Sequence, residues 1–158
     1  MKVLTKYELV QNEILGACCL SRFIWSYNAQ KNVPTPFPLT ALVIPICFHE
    51  ETVSILNRRA LKGGLLNAKI AHRDLGVGLQ ERMEDMFPQS MNAVLAGIQI
   101  GLFGYDQQAA TFSAIGHKIK IPKLSLSVQK MFWTADRLAS WIAETSIEVA
   151  CSHLNIEL

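Results

Sequence analysis

The sequence predicts a mainly α protein with a small β-hairpin: a winged helix-turn-helix-like body followed by a long C-terminal helix. Three observations lead there. Apolar residues recur at spacings of three and four along most of the chain, the period of an amphipathic helix. The stretch "LFGYDQQAATFSAI" reads as two short strands around a polar turn at Asp106, Gln107 and Gln108. The resulting order of helix, helix, helix, hairpin is that of a winged helix. One domain over 1–158 is expected for a chain of 158 residues. It divides into an N-terminal helix over 7–29, a winged-helix-like body over 36–116 and a C-terminal helix over 124–155.

The first helix is read from Leu9, Ile14, Leu15, Cys18, Cys19, Phe23 and Ile24, with Asn12 and Glu13 as a possible internal start. "NVPTPFP" breaks it, because closely spaced prolines cannot continue a helix. "LTALVIPICF" is apolar on both faces, so its period decides nothing. Pro45 argues against a central strand and for a helix start, or an irregular extended segment, feeding a helix from Glu50. In "HEETVSILNRRAL" two carboxylates sit where a first turn favours negative charge, and two arginines sit near the end. "KGG" stops that helix.

A further helical region follows in two pieces, with Ile70, Leu75, Leu79, Met83 and Met86 on one side and Gly76 and Gly78 permitting a bend. Pro88 ends it at or before Phe87. Ser90 is a good N-cap for the next helix, whose expected buried stripe is Val94, Leu95, Ile98 and Leu102, closed by Gly101 or Gly104. The last helix carries Met131, Ala135, Leu138, Ile142, Val149 and Ala150 along one side. Phe132, Trp133 and Trp141 widen that side.

Composition narrows the function classes. Half of the residues are hydrophobic and the net charge is only +2. That is apolar for a chain of this size, and implies that a partner covers some apolar surface. A dedicated nucleic-acid binder shows a concentrated basic excess instead. The longest apolar run, residues 39–48, is about ten residues, against the roughly twenty that a membrane span needs. "MKVLTKYELVQNE" has no apolar core followed by a small-residue cleavage site, so a cytoplasmic protein is expected.

No catalytic constellation, cofactor motif or metal site is expected. Cys18, Cys19, Cys47 and Cys151 match no zinc or redox spacing and read as buried, reduced thiols. His49-Glu50-Glu51 resembles part of a zinc-protease motif, but the second histidine would fall at position 53, which is Val53. Helix capping explains the same residues. His72, His117 and His153 are scattered, and the glycines at 63–64 and 76–78 lack the phosphate-loop pattern. Only His49 beside Glu50 invites a dispersed enzymatic site.

The helix that would read DNA is the most informative stretch. From residue 88 to residue 105 there is no Lys, Arg, Asp or Glu. Base readout and phosphate anchoring need polar and cationic side chains. Here only Gln89, Asn92 and Gln99 offer them. Arg58, Arg59, Lys62, Lys69 and Arg73 lie elsewhere, interleaved with Glu51, Asp74, Glu81, Glu84 and Asp85. Lys118, Lys120 and Lys123 form a small basic strip after the hairpin and are the candidates for nucleic-acid contact. An uncharged helix suits burial against protein better than a DNA groove. Phe132, Trp133 and Trp141 are the candidate partner anchors, since buried aromatics dominate interface energy.

Three stretches together carry a family resemblance: "NEILGACCLSRFIWSY", "TPFPLTALVIPICFHEETVSIL" and "GVGLQERMEDMFPQSMNAVLAGIQIGLFGYD". They resemble the small middle component of three-component ABC systems, the C subunit of Lamassu-type anti-phage and anti-plasmid defence. The matching positions are Pro36, Phe37, Pro38, Leu39, Pro45, His49, Arg82, Gly101 and Leu102. Asn12 lacks the proline that follows in the family pattern. The resemblance implies a cytoplasmic hetero-oligomer with an ABC ATPase like those of structural-maintenance-of-chromosomes proteins and an effector, often a nuclease. This chain would be the non-catalytic adaptor, touching DNA only through the complex. A winged-helix DNA-binding transcriptional regulator is the alternative.

Overall fold

A computed structural model describes residues 6–58, 63–121, 123 and 125–158, with side chains from residue 12 onward. Leu9 as a side chain, and Arg59, Lys62 and residue 124, lie outside the described residues. The chain is mostly helical with a small antiparallel sheet, as predicted. Its central element is α1 (Lys6–Lys31), which runs straight through Asn12 and Glu13 rather than starting there. Two later helices, α6 (Phe87–Gln99) and α7 (Leu126–Ala143), each pack extensively on α1.

At the end of α1 the Asn28 side chain ties helix to sheet. Its amide donates to the Val33 carbonyl and to Thr35 Oγ1, and its Oδ1 accepts from the Ala114 N–H at 3.0 Å. The sheet has the order β1-β3-β2, built from β1 (Thr35–Pro36), β2 (Phe103–Asp106) and β3 (Thr111–Ala114). β1 pairs with β3 through Thr35 and Phe112, and β2 pairs with β3 through Tyr105 and Phe112. Pro36 therefore sits on an edge strand, where its missing N–H costs least. The hairpin turn is held by Asp106 Oδ1, which accepts the N–H groups of Gln108 and Ala109. Phe103 and Phe112 meet edge to face at 5.6 Å beneath it.

The proline-rich stretch is helical further back than expected. α2 (Phe37–Cys47) begins with Pro38 in its first turn, where the proline ring's fixed φ suits a helix. It also contains Pro45 near its C-terminal end. Positions 39–40 and 42–47 are all buried, so the segment shows no helical period in hydrophobicity. α3 (Glu50–Leu56) follows at about 100° to α2. α4 (Gly64–Ala71) and α5 (Leu79–Asp85) are the two predicted pieces. Leu75, Leu79 and Met83 are buried there, but Ile70 is 67% exposed and does not join them.

The predicted long C-terminal helix over 124–155 is broken. α7 ends at Ala143, and α8 (Ile147–Leu154) starts afresh with Ser146 accepting the Val149 N–H. The restart changes the phase, so Val149 is exposed while Ala150 and Leu154 are buried. No single helix among the described residues is long and apolar enough to cross a membrane.

Candidate docking surface

α6 starts and stops by different means than predicted. Ser90 is not its N-cap. The helix begins at Phe87 after Met86, with Pro88 in the first turn, and Ser90 is fully buried in the interior. Its end is a Schellman motif. Gly101 adopts φ +78°, its N–H donates to the Ile98 carbonyl, and the Leu102 N–H donates to the Gly97 carbonyl.

The inward face of α6 is made of small residues: Ser90, Ala93, Val94 and Gly97. They let the helix press closely on its neighbours. A Cβ on Gly97 would lie 2.2 Å from the Phe103 ring. A Cβ on Gly16 of α1 would lie 3.0 Å from Ala93 Cβ and 2.8 Å from Ile44 Cδ1. The large residues predicted to be buried therefore point out. Leu95 is 57% exposed, and Ile98 is exposed beside it; Val94 is buried and Leu102 is half-buried.

The outward face is an apolar row. Phe87, Met91, Leu95 and Ile98 fall at helical spacings of four, four and three, on one side of the helix. Met91 is half-buried and the other three are exposed. Ile100 and Ile115 add exposed apolar surface at the base of the hairpin, where the Ile115 N–H donates to the Leu102 carbonyl. Asn92 and Gln99 border the row, and no charged residue lies between 88 and 105.

The residues singled out in the sequence divide between interior and surface. Phe132 and Trp141 are buried, the latter with the Arg137 guanidinium 5.9 Å from its ring centroid. Trp133 is exposed. Lys118 sits 5.3 Å over the Trp25 ring and 3.5 Å from Asp136 Oδ1, whereas Lys120 and Lys123 are exposed.

His49 caps α3: its Nδ1 faces the Thr52 N–H at 3.3 Å and Thr52 Oγ1 at 2.7 Å. Burial, assisted by the nearby Arg82 charge, pushes its pKa down, while Glu51 works in the opposite direction. The four cysteines are free thiols. A hydrogen bond with Cys47, together with burial, holds the Cys19 thiol protonated. Among the described residues no three His, Cys, Asp or Glu side chains converge as metal ligands.

Fold and surface thus define a mostly helical subunit that presents an uncharged, apolar helix to its surroundings. Along its whole length, residues 1–158, the chain matches the family model of Middle Component 3 of the ABC-three component (ABC-3C) system. It belongs to that family, and is one component of a multi-subunit ABC system. No curated protein and no solved structure matches it.

Proposed function

We propose that this chain is the non-catalytic adaptor of its system. It couples an ABC ATPase like those of structural-maintenance-of-chromosomes proteins to an effector, expected to be a nuclease, in a cytoplasmic Lamassu-type defence complex. One observation carries this reading: α6 buries its small residues and turns Phe87, Leu95 and Ile98 outward, with no charged residue from 88 to 105. Exposed apolar residues contiguous on one helix face are the mark of a protein-interaction site. The order α1, β1, α2, then α6, β2, β3, with the short helices α3, α4 and α5 inserted between α2 and α6, supports a winged-helix body in which α6 holds the recognition-helix position. In this subunit that position would meet polypeptide in place of a DNA groove.

The competing reading is a winged-helix regulator that binds duplex DNA. Its motivating residues are Lys118, Lys120 and Lys123, and Lys118 is already engaged by Asp136. Co-expression of the three components of the system separates the two readings. The adaptor reading expects the ATPase and effector to co-purify only when this chain is present. It also expects Leu95→Asp with Ile98→Asp to release one of them while the variant stays folded. Release of neither component, with tight and steeply salt-dependent binding of the chain to duplex, would favour the regulator.

A further inference from the structure

An adaptor needs two unlike contacts, and α6 supplies one. We propose a second docking site where residues 115–121 cross α7, one that takes an acidic segment of the other partner component, carrying an apolar or aromatic anchor. The inference rests on the adaptor reading and deepens it.

Between residues 107 and 135 every charged side chain is a lysine: Lys118, Lys120, Lys123 and Lys130. The next carboxylate, Asp136, is already compensated. Arg22 Nε donates to its Oδ1 at 3.0 Å, a second guanidinium nitrogen donates to Oδ2, Ser26 donates to Oδ1, and Lys118 stands at 3.5 Å. Arg22 also donates to the Ile119 carbonyl, which fixes the crossing segment against α1 and α7 at that point. Lys120, one residue further on, and Lys123 are exposed. The surface is therefore cationic and organised, with its one carboxylate satisfied from inside.

The anchor site lies beside it. Trp133 precedes Asp136 by three residues, hence lies on the same side of α7, and is 40% exposed. A shallow groove of about 390 Å³ runs along Trp133, Asp136, Arg137, Ser140 and Trp141. Trp and Arg are the side chains over-represented among residues that dominate interface energy. α1 separates this groove from the α6 face: α6 and α7 each pack extensively on α1, and not extensively on each other. The two surfaces also differ in chemistry, one neutral and apolar, the other basic and aromatic. They suit two different partners.

The small number of available cations favours an acidic polypeptide over nucleic acid. Independent nucleic-acid binding draws its affinity from many phosphate contacts, roughly six to ten in well-characterised cases. Two exposed lysines, with Lys118 already paired, fall short of that. They suffice to orient an acidic segment whose apolar side chain fills the tryptophan groove.

The test uses the co-expressed three-component complex, purified through a tag on this chain. Lys120→Glu with Lys123→Glu, and separately Trp133→Ala, are expected to cut retention of one component by roughly tenfold at about 0.15 M salt. The other component should stay bound. Leu95→Asp with Ile98→Asp should show the converse loss. Raising salt on the wild-type complex should release the component that the lysine variant loses. Circular dichroism melts confirm that each variant is folded.

Retention of both components by the lysine and Trp133 variants overturns this second site. If the α6 variant still loses a component in that case, the adaptor reading survives. Loss of one component by the lysine variant, with no loss by the α6 variant, upholds the second site and removes the α6 face. If the lysine variant keeps both components but loses binding to a labelled single- or double-stranded oligonucleotide, the surface is a nucleic-acid site and the proposal fails.

Discussion

Arg22 of α1 and Asp136 of α7 form a two-pronged ion pair between helices that are 114 positions apart in the chain. The arginine is almost enclosed, and a carbonyl of the crossing segment, from Ile119, completes its donors. Removing one member of a buried pair strands the other without solvent. Asp136 keeps about a quarter of its exposure, so the penalty is smaller than for a fully buried pair. Asp136→Ala is expected to cost about 2–3 kcal/mol in urea unfolding, read from the midpoint at unchanged slope. Lys118→Ala removes only the least buried member and is expected to cost less than about 1 kcal/mol. Equal losses for the two variants would contradict this account of the network.

Gly97 is required by contact, not by backbone conformation. A methyl group there would overlap the Phe103 ring, which itself packs edge to face on Phe112. Gly97→Ala is expected to destabilise by about 1–3 kcal/mol, although alanine favours helix elsewhere. Paired with Phe103→Leu the cost should shrink, because the smaller side chain vacates the space. A double-mutant cycle without coupling would refute the contact.

Ser90 buries a hydroxyl on the α6 core face without a hydrogen-bond partner. An unsatisfied buried hydroxyl costs free energy that alanine does not incur. Ser90→Ala is therefore expected to raise stability by up to about 1 kcal/mol, measured as a higher urea midpoint. A clear loss of stability would show that the hydroxyl is satisfied.

His49 makes stability depend on pH. Its folded pKa lies below the ordinary histidine value because burial and Arg82 disfavour the imidazolium. The unfolded chain then binds the proton more readily than the folded one. This contribution is intact above about pH 6.5 and is lost as pH falls through the unfolded value toward the folded one. His49→Asn keeps a capping side chain without a titrating group. It should flatten the decline in melting temperature between about pH 7 and pH 5. An unchanged slope would assign the decline to other groups.

Element type was legible wherever period and punctuation agreed. The hairpin around Asp106–Gln108 follows from alternation and a turn-forming aspartate, and the Asp106 carboxylate does cap the turn. Which face of α6 is buried was not legible. Hydrophobicity favours the large Leu95 and Ile98, but close packing on Gly16 and Phe103 selects Ala93 and Gly97. A helix with two apolar faces, one small and one large, gives a single blurred stripe in sequence. α2 was ambiguous because burial on all sides erases its period. The break at residues 144–146 is hidden in the sequence because a serine is compatible with a helix interior as well as with the N-cap role that Ser146 takes for α8. Of the three aromatic anchors named from sequence, only Trp133 reaches the surface, since residue type alone does not separate core from interface.

Amide hydrogen exchange across residues 87–100, compared between the free chain and the assembled complex, tests the docking role of α6 most directly. The account predicts that backbone amides around Leu95, Ile98 and Ile100 slow markedly on assembly and do not respond when duplex DNA is added to the free chain. Exchange there that ignores the protein partners but slows on duplex would contradict it.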